Sequence, residues 1–367
     1  MTGANAPLHV SLVATPDAQV SPLSGLFETF NAFGLLAAFE PAVPKRPFVV
    51  EIVAPGGGDV RSASGLTLGA HRTHDELERT DIVILPLMMV DGPDWVPGRY
   101  PQLVAWLRRM HAGGAILCST CTGVLLLAET GLLDGREATL HWAFAPTFRR
   151  NYPDVRLRTE EVLIVGGDRQ ELVMTGGVMS WHDLALHLIQ RYVGPTAAQA
   201  MARLLMLQWH AEGQAPYIGF SPAMDHGDAI VRRLQDWLRD HYRVANPVEE
   251  IVRLSGLPAR SVQRRFRNAT GYAPVTYVQN LRIEAARRAL ERTDRPVEDV
   301  SIEAGYENTA FFRRLFKRAT RMTPGAYRRK FRMSAFGPDP GSRKAEAGSG
   351  NTENGAAVSP GNAPSED

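Results

Sequence analysis

The sequence predicts an α/β domain built on a parallel sheet, followed by an all-α domain with two helix-turn-helix units. Three observations lead there. Between residues 8 and 195 short β-rich apolar runs alternate with helical ones, the pattern of a parallel sheet covered on both faces. Between Val248 and Tyr327 one pattern is written twice, about fifty residues apart, and internal repetition of this kind decides the architecture of a segment. Charge also divides the chain. His226 to Met333 carries 23 Lys+Arg against 12 Asp+Glu, while the whole 367-residue chain sums to +2, so the rest is acidic.

In order along the chain, Leu8 to Ala14, Phe48 to Ala54, Asp81 to Leu87, Ala115 to Ser119 and Leu172 to Thr175 read as buried strands. Leu26 to Phe39, Pro101 to His111, Thr122 to Glu129 and Trp181 to Val193 read as helices. Gly56-Gly57-Gly58 lacks the spacing of a nucleotide loop and reads as a strand-ending turn. Ser180-x-x-Asp183 reads as a capping box for the helix that follows, and His182 and His187 on that helix as ordinary packed or surface residues. Met201, Leu204, Leu205, Met206 and Trp209 form an apolar helical stripe, either core or a dimer surface.

One spot in this half suggests chemistry. In GGAILCSTCTG a strand ends at Cys118 or Ser119 and a helix starts just beyond Cys121. A thiol at such an elbow sits under the positive end of the helix, which lowers its pKa and makes a nucleophile, and His141 lies some twenty residues on. The Cys118-x-x-Cys121 pair has no further clustered ligands, so neither a metal centre, a redox pair nor any cofactor is expected.

The stretch from Gly213 to Asp225 is rich in Gly and Pro and reads as linker. Expected divisions are a first domain over 8–195, a helix and linker over 196–225, a basic domain over 226–332 and a disordered tail over 333–367, where aliphatic residues are nearly absent. No apolar run reaches the eighteen residues of a membrane helix, and the first basic side chain is Lys45, so neither a membrane span nor a secretory signal is expected. Two cysteines make no disulfide framework, and the cytoplasm is the expected compartment.

In the basic domain, Val248, Glu249 and Gly256 recur as Val297, Glu298 and Gly305, and Phe266, Ala269, Thr270, Pro274 and Tyr277 as Phe316, Ala319, Thr320, Pro324 and Tyr327. Each copy has a short helix (Val248 to Leu254; Val297 to Ala304), a glycine turn and a second helix. Val262, Phe266 and Ala269 form the apolar stripe of one second helix, and Phe312, Phe316 and Ala319 that of the other, which Asn308 caps. The opposite faces carry Arg260, Gln263, Arg264 and Arg267, and Arg313, Arg314, Lys317 and Arg321. Guanidinium forks suit guanine edges and phosphates, and a glutamine amide pairs with adenine. Pro274 to Arg292 reads as one connecting helix with Val275, Val278, Leu281, Ala285 and Leu290 buried. Its nineteen residues span roughly 29 Å, close to the roughly 34 Å of one B-DNA turn.

The run D-V-x-x-x-x-G-Y (Asp299, Val300, Gly305, Tyr306), the aromatic helix with Phe311, Phe312 and Phe316, and T-P-x-x-Y-R (Thr323, Pro324, Tyr327, Arg328) resemble the DNA-binding domain of AraC-type bacterial transcription regulators. The resemblance implies base reading by Arg260, Gln263 and Arg264 in the first unit and by Thr309, Arg313 and Arg314 in the second. It departs at Pro258, where a serine cap is usual, and at Ala310, where a polar residue is common. Residues Leu8 to Val193, with the elbow and the Thr175 to Leu188 run, resemble the PfpI/ThiJ, or class I glutamine amidotransferase-like, superfamily. That implies a flavodoxin-like fold in which Cys121 matches the elbow nucleophile and His141 its histidine. The glutamate that follows the histidine in amidotransferases is here Ala143, and SPLSG near Pro22 to Gly25 supplies no carboxylate. A Cys–His pair without an orienting acid is a weak nucleophile system.

The expected function is therefore sequence-specific DNA binding by a transcriptional regulator, controlled by a small molecule or partner at the first domain, and not catalysis. Promoter DNA is the expected partner, with a homodimer, and RNA polymerase if the output is activation, as further ones. The rival of another class is a cysteine-dependent hydrolase or amidase with an accessory DNA-binding domain.

Overall fold

The structure, a computed structural model, describes residues 6–89 and 95–332. The tail expected to be disordered lies outside the described residues. The first domain runs β1 (Leu8–Val13), α1 (Val20–Asn31), α2 (Phe33–Phe39), β2 (Phe48–Ala54), β3 (Asp59–Arg61), β4 (Thr67–Gly69), β5 (Arg72–Thr73), β6 (Ile82–Leu85), α3 (Pro101–Ala112), β7 (Ile116–Thr120) and α4 (Gly123–Ala128). It continues β8 (Glu137–Ala138), α5 (Ala145–Asn151), β9 (Arg156–Leu157), β10 (Leu163–Gly166), β11 (Leu172–Thr175), α6 (Trp181–Tyr192) and α7 (Pro195–Leu204).

Seven strands form one sheet in the order β10-β11-β7-β6-β1-β2-β5. Every pairing in it is parallel except β10 with β11, an antiparallel edge. β6 and β11 are buried along their whole length, as strands covered on both faces must be, which explains their unbroken apolar runs. On one face α1, α2, α6 and α7 bury Leu23, Phe30, Phe33 and Leu188 against Val10, Leu12 and Phe48. On the other, α3 and α4 bury Trp106, Leu107 and Leu126 against Val83, Leu85 and Leu117.

The five expected strands are present with small changes at their ends. The short strands β3, β4, β5, β8, β9 and β10 were not expected, since two to four residues carry too little periodicity to read. The first helix differs more. The segment expected as a helix from Leu26 begins at Val20, and Pro22 and Gly25 lie inside its first turns. Pro22 is tolerated there because a first-turn amide needs no partner. Gly25 is required, because a Cβ on it would lie 2.5 Å from the Trp181 ring of α6. The glycine triplet is a turn, with Gly57 and Gly58 at φ 67° and 65°.

The basic domain is all helical: α8 (Ala229–His241), α9 (Pro247–Ser255), α10 (Ala259–Thr270), α11 (Pro274–Arg292), α12 (Val297–Glu303), α13 (Thr309–Thr320) and α14 (Pro324–Phe331). The sequence repeat is a structural repeat. Gly256 and Gly305 make the two turns at φ 65° and 92°. Phe266 meets Tyr277 edge-on at 5.0 Å, and Phe316 meets Tyr327 edge-on at 5.3 Å. Thr270 and Thr320 each donate their hydroxyl to the carbonyl four residues back, at 2.7 and 2.8 Å.

The connecting helix α11 has the expected bounds, but its buried face is different. Val275 is exposed and Leu281 and Ala285 are half-buried; Pro274, Tyr277, Val278, Ile283, Ala286, Arg287 and Leu290 are the buried positions. The reason is that α11 serves two cores. Its first half gives Tyr277 and Val278 to a cluster with Leu234, Ile251, Val262 and Phe266. Its second half gives Ile283, Ala286 and Leu290 to a cluster with Val300, Phe312, Phe316 and Tyr327. A single-stripe reading cannot describe a helix packed on two sides. Of the expected recognition-helix stripes, Ala269 is half-buried and Ala319 exposed; Leu315 and Thr320 are the buried residues beside Phe312 and Phe316.

Candidate nucleic-acid interface and first-domain cavity

In the first unit Gly256 ends α9 in the left-handed conformation and Pro258 takes the N-cap position of α10 without a side-chain bond. Val262 and Phe266 anchor one side of α10 in the core. That leaves Arg260, Gln263, Arg264 and Arg267 exposed together, lining an open cleft of ≈ 720 Å³ with Ser261, Asn268 and Val275. Among the described residues none of these three arginines has a carboxylate within ion-pair distance, so their charge is uncompensated in the free protein. Arg265, one residue from Arg264, is instead bound to Asp228 at 2.8 Å.

In the second unit Asn308 caps α13 as expected, its side-chain oxygen accepting from the Phe311 amide at 2.8 Å. Thr309 opens the helix half-buried, and Arg313, Arg314 and Lys317 are exposed. Arg313 donates to Glu298 of α12 at 2.5 Å, and the Arg314 guanidinium lies 5.7 Å from the Phe311 ring. Arg321, expected on the same basic face, turns elsewhere. It closes α13 at φ 57°, where the first unit has Gly271 at φ 78°, and its guanidinium forks onto Glu161 of the first domain at 3.1 and 2.7 Å. A left-handed non-glycine residue costs roughly 1–2 kcal/mol, so this docking contact stands on a strained residue.

Other contacts join the two domains near Arg321. Lys330 donates to Glu212 at 3.1 Å, and Phe331 meets Tyr217 edge-on at 5.1 Å. Arg287, buried in α11, donates to the carbonyls of Pro216 and Ile218 and, at 3.1 Å, to the Tyr327 hydroxyl. The segment expected as linker is held along residues 212–218. The groups that fix it are mostly backbone carbonyls, which leave no trace in side-chain identity.

The elbow of the first domain has the expected shape. Cys121 sits between β7 and α4 at φ 51°, its amide donating to Thr175 at 2.7 Å. Gly123 must be glycine, since a Cβ there would lie 2.5 Å from the Pro86 carbonyl oxygen. The thiol is fully buried, and burial pushes it up to about 12, against the opposing pull of the Thr122 and His141 backbone amides. Burial thus works against the activation that a helix N-terminus would give, and α4 is only six residues long.

His141 offers Cys121 its backbone amide; its ring stacks on Trp142 at 5.0 Å, and its Nδ1 accepts from the Ala143 amide at 3.2 Å. Pro22 to Gly25 lies within α1, and the nearby carboxylate of Asp17 is bound to Tyr100 at 2.6 Å and Arg99 at 3.0 Å.

The His141 ring instead lines a ≈ 250 Å³ cavity with Trp142, Val162, Val178, Met179, His210, Gln214 and Tyr217. Sequence reading found His141 but not His210, Gln214 or Tyr217, which come from the linker. Gln214 is buried and its amide donates to the carbonyls of Leu140 at 3.1 Å and Thr159 at 2.9 Å. Only the glycine at 176 leaves room for it. Two residues of this cavity wall, Gln214 and Tyr217, flank Ala215 and Pro216, whose carbonyls both accept from Arg287.

Comparison with known proteins agrees with both halves. The family model described as a helix-turn-helix domain matches residues 251–330, and that of the DJ-1/PfpI family matches residues 23–156. The chain is 29% identical over 308 residues to the HTH-type transcriptional regulator CdhR of Pseudomonas aeruginosa, covering 80% of this chain and 86% of that one. It is 28% identical over 306 residues to the HTH-type transcriptional regulator GlxA of Rhizobium meliloti, covering 83% and 90%. Among solved structures it is similar to DJ-1beta of Drosophila melanogaster, with a TM-score of 0.46 at 15% identity over 56% of this chain and all of the other. Among the described residues no helix is long and apolar enough to cross a membrane. The two matches set a DJ-1/PfpI domain ahead of an AraC-type helix-turn-helix domain, the architecture of a DNA-binding transcriptional regulator.

Proposed function

We propose that this regulator reads a bipartite promoter site in the cytoplasm with α10 and α13, and that a small molecule in the His141–Tyr217 cavity sets how firmly the second unit is docked. The carrying observation is that two copies of one basic unit share α11 as a common core element, which fixes their spacing and orientation. Arg260, Gln263, Arg264 and Thr309, Arg313, Arg314 are the base-reading candidates, and Arg267 and Lys317 the phosphate contacts. The sensor is assigned to residues 8–195, the coupling segment to 196–225 and the DNA-binding domain to 226–332.

Coupling runs through residues 210–218, which wall the cavity on one side and meet Arg287 on the other. A ligand that binds the docked and released arrangements unequally shifts DNA occupancy by that difference in affinity. The cavity suits a small, largely apolar molecule with one polar group for His141, His210 or Gln214. A homodimer through the first domain, and RNA polymerase contact if the output is activation, complete the reading. The test is retention of genomic fragments by the purified chain, followed by mobility shifts on the retained sequences. Affinity should fall steeply with salt, and a few fragments should survive washing at physiological salt. Equal retention of all fragments would contradict a sequence-specific regulator.

A further inference from the structure

The first turn of α6 holds a cluster that the DNA-binding reading does not use. Asp183 has no exposed surface, and among the described residues only histidines lie within ion-pair distance of its carboxylate. It was expected to complete a capping box with Ser180, but Ser180 gives α6 no side-chain cap and instead donates its hydroxyl to the Gly177 carbonyl at 2.6 Å. Asp183 turns to the linker. Its Oδ1 accepts the His210 amide at 2.9 Å, and its Oδ2 lies 2.8 Å from His210 Nδ1. His182, expected to be an ordinary packed residue, brings its Nδ1 to 3.8 Å from the same Oδ2. That nitrogen is buried and has no hydrogen-bond partner. The two imidazoles lie nearly parallel, 5.4 Å apart.

We propose that His182, Asp183 and His210 form a binding site for a divalent transition metal of the zinc class. One donor atom from each lies within 4.8 Å of the other two. Two imidazole nitrogens and a carboxylate oxygen are a donor set that zinc favours, and hard cations such as magnesium do not. An Asp183–His210 pair alone accounts for the buried carboxylate but leaves His182 Nδ1 desolvated without a partner, a cost that a metal ion removes. Zinc takes four ligands, so three protein donors leave one position for water or for a donor on whatever fills the adjoining cavity, which His210 also lines. The site ties α6 to the linker at residue 210. Occupancy would pin the segment that continues to Gln214, Tyr217 and the carbonyls held by Arg287.

The test is isothermal titration of the full-length chain, stripped by chelator and dialysed, with zinc chloride, together with the visible spectrum after cobalt(II) addition. One zinc per chain is expected, and the strong absorption of four- or five-coordinate cobalt. His182→Ala keeps the Asp183–His210 pair and should weaken zinc binding at least tenfold, while His210→Ala should abolish it. His187→Ala, on the same helix but outside the cluster, should change nothing. Should His182→Ala fail to fold, the cobalt spectrum of the wild-type chain still decides: a pale six-coordinate spectrum overturns the site. No zinc uptake, or equal uptake by wild type, His182→Ala and His210→Ala, overturns it as well.

Discussion

The two helix-turn-helix units share a plan and differ in what holds their surfaces. In the first, Arg260, Arg264 and Arg267 stand exposed without a carboxylate partner among the described residues. In the second, Arg313 is paired with Glu298, Arg321 with Glu161, and Lys330 just beyond with Glu212. The left-handed residue that closes each recognition helix is glycine in one copy and arginine in the other. Duplication therefore kept the cores alike and let the surfaces take separate tasks. One copy leaves Arg260, Arg264 and Arg267 unpaired among the described residues; the other is tied to the first domain through Arg321 and to the linker through Lys330.

The largest expected effect tests whether the cores are joined. Phe266→Ala and Phe316→Ala should each destabilise the DNA-binding domain by about 3–5 kcal/mol. Because α11 is shared, urea unfolding followed by hydrogen exchange should show both units losing protection together. Separate transitions would mean that α11 does not couple them.

Next in size, Arg264→Ala should weaken binding by about 1–3 kcal/mol and relax preference at one base pair, whereas Lys317→Ala should weaken all sequences alike. Mobility shifts on single-base variants of the site distinguish the two, and a uniform loss for Arg264→Ala would make it a phosphate contact.

Arg321→Gly sharpens the comparison by making the second copy resemble the first. Relief of the left-handed strain outweighs loss of a part-exposed ion pair worth roughly 0–1 kcal/mol, so total stability should hold or rise slightly. Cleavage in the segment 205–228 by limited proteolysis should nonetheless quicken. Unchanged cleavage would show that the pair does not hold the dock.

The smallest effect is on pH. The Arg321 hydrogen bonds hold Glu161 below its ordinary value of 4.5. Its contribution is present above that value and is lost as pH falls through the lower folded one. The stability difference between wild type and Glu161→Gln should be a few tenths of a kcal/mol at neutral pH and vanish under acid. A difference that grows with acid would contradict the assignment.

Much of this was legible in the sequence, where the signal was a repeat or a long apolar run. The offsets linking Phe266 to Phe316 and Tyr277 to Tyr327 gave the double unit, and unbroken runs such as Ile82–Leu85 gave the buried strands. The elbow was legible as a shape. Its chemistry was not, because burial of Cys121 and the facing of His141 are set by residues far along the chain. The cavity was missed for the same reason: Gln214 and Tyr217 reach it from a segment whose composition says linker. Arg321 looked like one more basic residue on a basic helix, and only its left-handed backbone and Glu161 give it another role.

Hydroxyl-radical footprinting, at protein concentrations that keep the chain monomeric, asks whether one chain sets two recognition helices on one face of a duplex through a shared rigid helix. Two protected stretches about one helical turn apart on the same face are expected, both weakened when α11 is kinked by Ala285→Pro. A single contiguous half-turn of protection, or two stretches that appear only on dimerisation, would contradict it.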